Sequence, residues 1–187
     1  MRAGEISRNF NTGVSLQVRF ASQNPAQDFK DDLANANRTA ETVAASMFMN
    51  KIDIFIDSFI DIDRSYFARN GLYDRRFNPR LGSYVFQNLH AALESHYNKI
   101  ENAGLLPDIQ GMSLVRLKSK TTEILLILPD TGTEVSAIPL LINVDSGKLR
   151  CANLETGQTS EHVFTCSGDQ IRLDPALKVD VPVLLEI

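Results

Sequence analysis

The sequence predicts an α+β protein, a helical layer packed on a C-terminal antiparallel β-meander, with one strand ahead of the helices. Three observations carry this. Apolar residues recur every three or four positions through residues 25–70 and again through 79–103, the spacing of a buried helix face. From residue 112 onward the texture changes to short apolar runs separated by glycine and proline turns. An alternating run, Val14 to Ala21, precedes both. At 187 residues and 43% hydrophobic content, the chain is long enough for a single α+β domain with its own core, the helical half at 24–104 and the β half at 112–187.

In the first run Val14, Leu16, Val18 and Phe20 fall on one side and Ser15, Gln17 and Arg19 on the other, which is the two-residue period of a half-buried strand. Asn24-Pro25 then offers an N-cap and a proline at the first helical position, where a missing N–H is no loss. Apolar or small residues follow at Phe29, Leu33, Ala36, Ala40, Ala44, Phe48, Ile52, Phe55, Phe59, Ile62 and Tyr66, until Asn70-Gly71 supplies a left-handed stop. As one helix this segment is about 60 Å long at ~1.5 Å per residue, beyond the usual globular length, so a break near Asn50-Lys51 is equally compatible. The stretch IDIFIDSFIDID, Ile52 to Asp63, also alternates as a strand does. Helical spacing groups more of it, with Asp53, Asp57 and Asp61 on a solvated face, and helix is the reading adopted.

Asn78-Pro79 opens a second helix and Asn102-Ala103-Gly104 closes it, with Leu81, Val85, Leu89, Leu93, His96 and Ile100 as its buried stripe. Strands are expected at 113–118, 123–128, 134–143, 148–152, 160–166, 170–173 and 178–186, joined by the turns PDTGT, VDSGK, ETGQT, CSGDQ and LDPAL.

A net charge of −4 and a pI of 5.4 argue against nucleic-acid binding. No apolar run is long enough for a membrane span and the first ten residues lack a signal-peptide core, so a cytoplasmic protein is expected. Cys151 and Cys166 are too few for a disulfide scaffold, and with His162 they match no compact zinc spacing, so neither metal nor cofactor is expected. The charge is uneven. Residues 64–80 hold Arg64, Arg69, Arg75, Arg76 and Arg80 against Asp74 alone, which leaves the remainder at −8. Interleaved with Tyr66, Phe67, Tyr73 and Phe77, these arginines have the composition of interaction hot spots. The leading expectation is therefore a non-catalytic binding or assembly protein, self-associating or capturing an acidic protein partner through Arg69, Tyr73, Arg75, Arg76, Phe77 and Arg80. Pairing of these arginines with the protein's own acids is the competing reading.

Two stretches point to chemistry instead. Asp63 and His96 fall on the apolar faces of their predicted helices, where a carboxylate and an imidazole that met could serve as acid and base. With FIDSFIDIDRSYFARNGLYD running from helix into loop, this resembles the NTF2-like superfamily, which implies a small-molecule or enzymatic pocket between helices and a curved sheet. The stretch LILPDTGTEVSAIP, Leu126 to Pro139, resembles the retroviral-type aspartic proteases, which implies Asp130 as a catalytic carboxylate paired across a homodimer. Pro129 stands where that family has an apolar strand residue, and Pro-Asp-Thr-Gly equally fits a hairpin turn between two antiparallel neighbours.

Overall fold

The computed structural model describes residues 12–18, 28–48, 52–56, 59–61, 71–96, 100–105, 111–119, 122–140 and 145–187. Strands dominate, and the chain divides into two compact units, Met1–Gln87 and Asn88–Ile187. A helical layer on a meander is not what forms.

In the N-terminal unit β1 (Val14–Val18) leads through α1 (Asp28–Phe48) to β2 (Ile52–Ile56), and the two strands pair in parallel from Val14↔Ile52 to Val18↔Ile56. The expected continuous helix thus ends by Phe48, and its continuation is a strand. The physical reason is the alternation of Ile52, Ile54 and Ile56, β-branched residues that suit a pleated surface, once β1 supplies backbone partners. On α1, Leu33, Ala36, Ala40, Val43, Ala44 and Met47 form the buried stripe, and the helix packs on β2. Thr39 Oγ1 donates to Asn35 O at 2.7 Å, which satisfies a buried hydroxyl inside the helix. The helix α2 (Leu81–Leu93) begins in this unit, and the unit boundary falls within it. Gly82 lets it approach α1 closely, since a Cβ there would stand 3.3 Å from Thr39 Oγ1.

Among its described residues the C-terminal unit takes up the end of α2, a 3-10 turn at Glu94–His96, and eight antiparallel strands. These are β3 (Glu101–Leu105), β4 (Met112–Lys118), β5 (Glu123–Pro129), β6 (Thr133–Ile138), β7 (Ser146–Asn153), β8 (Thr159–Ser167), β9 (Gln170–Val179) and β10 (Val183–Glu186), in the order β3-β4-β5-β10-β7-β8-β9-β6. The second helix was expected to reach residue 103, but Glu101–Leu105 is an edge strand on β4, with Glu101 opposite Lys118 and Asn102 opposite Leu117. The strands expected at 170–173 and 178–186 are redistributed, since β9 runs on through Pro175 to Val179.

The sheet has to curl. β5 and β6 are joined by residues 130–132, yet four strands lie between them in the sheet. In a flat sheet those strands would be about 24 Å apart at ~4.8 Å per strand, whereas the link spans at most about 14 Å. Residues 180–182 join β9 to β10 in the same way, and the two links touch, because a Cβ on Gly132 would run into the Asp180 carboxylate. The expected hairpin at PDTGT is therefore a passage from one side of the curl to the other. Inside lie Leu114, Leu125, Ile127, Val135, Ile138, Leu149, Cys151, Phe164, Ile171, Leu173, Val183 and Leu185.

Both cysteines are free thiols. Cys151 pairs with Ser160 of β8, and Cys166 lies six positions further along that strand, about 20 Å away and beyond the ~7 Å reach of a disulfide. Burial pushes the Cys151 thiol up to about 11.

At one end of β4 and β5, on the sheet face that carries Leu114, Leu125 and Ile127, Arg116 grips Glu123 with two bonds of 2.9 Å. That guanidinium holds the Glu123 carboxyl below its ordinary 4.5, with burial opposing to a lesser degree. A depressed folded-state value stabilises the fold above about pH 4.5 and is lost as pH falls further. Urea denaturation across this interval is expected to show the wild type losing more stability than Glu123→Gln.

Candidate functional site

The segment between β2 and α2 departs most from simple connection. Phe59, Ile60 and Asp61 follow the carboxyl end of β2, and residues 71–80 return to pair with them. Tyr73 N–H donates to Phe59 O at 3.0 Å, Asp61 N–H to Tyr73 O at 3.0 Å, and Arg80 N–H to Leu72 O at 2.9 Å. Gly71 is required by contact, since a Cβ there would stand 2.5 Å from the Asp61 backbone nitrogen and 2.8 Å from Tyr73 O.

Arg80 closes this loop on α1. Its Nη2 donates to Asp61 Oδ2, and its Nη1 to Asp32 Oδ1 at 3.1 Å, while Asp61 Oδ1 accepts the Gly71 N–H at 2.9 Å. The Arg80 and Asp61 side chains are only 14% and 7% exposed. Burial works against the guanidinium charge, but the hydrogen bond and charge of Asp61, together with Asp32, outweigh it and hold Arg80 above its ordinary pKa. Both oxygens of Asp61 are engaged, so it braces the loop.

The tip, Asp74 to Asn78, is a closed turn. Asp74 Oδ1 accepts the backbone N–H groups of Arg76 and Asn78, and Oδ2 accepts Asn78 Nδ2, each at 2.8 Å. These bonds, those from Asn78 foremost, hold the Asp74 carboxyl below its ordinary range. Within the turn Phe77 sits in the left-handed region at φ 64°, a conformation non-glycine residues rarely adopt, and is 67% exposed. Phe59 is 63% exposed and lies against Tyr73, with ring centroids 4.8 Å apart and planes tilted by 37°.

Of the residues expected to bind a partner, Tyr73, Arg75, Arg76, Phe77 and Arg80 gather on this loop, and Arg80 is spent on internal acids. Arg69 and Asp63 lie outside the described residues. His96 stands in the 3-10 turn with Nε2 3.7 Å from Glu186 Oε1. Glu186 also pairs with Arg150 at 3.3 Å. Asp130 is exposed in the link after β5, its N–H donating to Gly111 O at 2.8 Å. Phe59, Asp61 and Asp32 were missed. The sequence reading puts Asp53, Asp57 and Asp61 on a solvated helical face, but Asp53 is exposed on β2, Asp57 lies outside the described residues, and the Asp61 side chain is covered by Arg80. The one sequence signal was alternation through IDIFIDSFIDID, which puts the segment in a strand and its extension.

A parallel βαβ unit followed through a helix by a curled antiparallel sheet is an architecture shared with glycoside hydrolases. One is a family 39 glycoside hydrolase from the gut symbiont Bacteroides cellulosilyticus WH2, with a TM-score of 0.55 and 18% identity over 83% of this chain and 30% of that one. The glycoside hydrolase family 30 subfamily 8 xylanase Xyn30A from Clostridium acetobutylicum is similar over 97% of this chain and 44% of its own, with a TM-score of 0.56 and 10% identity. A family 30 endoxylanase from Clostridium papyrosolvens C71 covers the same shares, with a TM-score of 0.53 and 8% identity. The chain thus spans less than half the length of these enzymes, and at such identities the likeness establishes the fold. No family model and no curated protein matches the sequence. These neighbours overturn the expectation of a non-catalytic binding or assembly protein, and with it the NTF2-like and retropepsin-like alternatives, because the fold is one that carries carbohydrate chemistry in other proteins. Among the described residues, no helix is long and apolar enough to cross a membrane.

Proposed function

We propose that this chain is part of a carbohydrate-active enzyme of the glycoside hydrolase kind, contributing two parallel strands with their helices and a curled antiparallel sheet. The observation that carries the reading is the likeness to two family 30 enzymes over 97% of the chain, both units included. Parallel strands joined by a helix are the repeat of a (β/α) barrel, and such strands are ordinarily covered on both faces. Here Ser15, Gln17, Asp53 and Phe55 share one face of the β1–β2 pair and Phe55 is exposed, as suits strands whose further neighbours lie elsewhere in an assembled barrel. Glycoside hydrolysis uses two carboxyl groups flanking the scissile bond, and barrels draw catalytic residues from the ends of several strands. β1 and β2 are two of those strands in this reading.

The test is reducing-sugar release from a panel of xylan, cellulose, mannan and starch by the protein as its source cell makes it. Hydrolysis of at least one supports the reading; no hydrolysis, together with no saccharide binding by calorimetry, overturns it.

A further inference from the structure

Among the described residues, five of the exposed large hydrophobics, Leu16, Phe55, Phe59, Phe77 and Tyr84, belong to the N-terminal unit, and four of these are aromatic. Phe59 and Phe77 are the two most exposed of these described residues, and both stand between β2 and α2. We infer that the Phe59–Tyr73 ring pair is a stacking surface for a pyranose ring whose hydroxyls are mostly equatorial, an inference that rests on the glycoside hydrolase reading and names a substrate subsite within it.

Position is the first support. The pair lies just beyond the carboxyl end of β2, and in barrels and open sheets of parallel strands ligands sit outside that end. Rigidity is the second. Two backbone hydrogen bonds join the Phe59–Asp61 segment to Tyr73, Gly71 allows their approach, and the Arg80 bridge to Asp61 and Asp32 ties the loop to α1, so the rings are held before any ligand arrives. Chemistry is the third. A solvent-facing Phe beside the ion pairs and backbone hydrogen bonds of residues 59–61 and 71–80 offers a flat apolar face with a polar rim. Gln87 Nε2 lies 3.4 Å from Tyr73 Oη on that rim. A pyranose with equatorial hydroxyls presents the matching pair, axial C–H groups toward the ring face and hydroxyls toward the edge. The left-handed Phe77, held outward by the Asp74 turn, extends the same aromatic character along the loop.

The test is isothermal calorimetry with xylan and cellulose oligosaccharides on the wild type, Phe59→Ala, Phe59→Trp and Val163→Ala, with thermal melts of each. Val163 is a comparably exposed apolar residue in the other unit. Phe59→Ala is expected to weaken binding about tenfold or more while melting as the wild type does, Phe59→Trp to restore it, and Val163→Ala to change nothing. Wild-type binding that Phe59→Ala leaves intact overturns the stacking surface alone. A wild type that hydrolyses a polysaccharide but binds neither oligosaccharide also overturns it, whereas a wild type that neither binds nor hydrolyses any saccharide overturns the enzymatic reading as well.

Discussion

Arg80→Met is expected to destabilise the N-terminal unit by about 2–4 kcal/mol. The substitution keeps most of the apolar stem and removes a cationic partner of a nearly buried carboxylate, Asp61, along with a partner of Asp32. Removing one member of a buried pair leaves an uncompensated charge, which costs more than the pair itself contributes, about 3–5 kcal/mol when burial is complete. Asp32 is 29% exposed and water relieves part of its loss, hence the lower range. Arg80→Lys is expected to fall between, because a single ammonium cannot span two carboxylates as the guanidinium fork does. With no tryptophan in the chain, urea denaturation followed by far-UV circular dichroism is the suitable measurement. A loss below about 1 kcal/mol for Arg80→Met would place the triad among ordinary surface ion pairs.

Ile127→Ala is expected to cost the C-terminal unit about 2–5 kcal/mol. Ile127 is fully buried on β5, and its register partners are Leu114 on β4 and Val183 on β10, all three in the curled core. Shortening the side chain removes apolar burial and leaves a cavity that strands hydrogen-bonded on both sides cannot collapse to fill. An equal loss in Thr165→Ala, an exposed position on β8, would show that the cost is not one of core packing.

Single elements were legible although their arrangement was not, because each strand and helix carries its own period. The alternation from Val14 to Val18, the buried stripe of Leu33, Ala36, Ala40 and Ala44, the start of α2 after Asn78-Pro79, and the strands expected at 113–118 and 123–128 follow from residues close in the chain. Within the candidate site, the clustering of arginine with aromatic residues in residues 64–80 was also visible.

Residues close in the chain set a local layer: which stretches are apolar on one side, where turns interrupt them, and which segment concentrates charge and aromatic rings. Everything else depended on long-range contacts. Ile52–Ile56 fits helix and strand alike until β1, 38 positions earlier in register, supplies hydrogen-bond partners. PDTGT turns the chain equally well into a hairpin or across a curl, and the pairing of β5 with β10 and of β6 with β9 makes it the latter. Arg80 reads as a cation open to a partner until Asp61 and Asp32, 19 and 48 residues away, close on it. The physical reason is common to all three. Periodicity and turn chemistry are properties of neighbours in the chain, whereas pairing, curl and ion-pair closure depend on groups that meet only once the chain has folded.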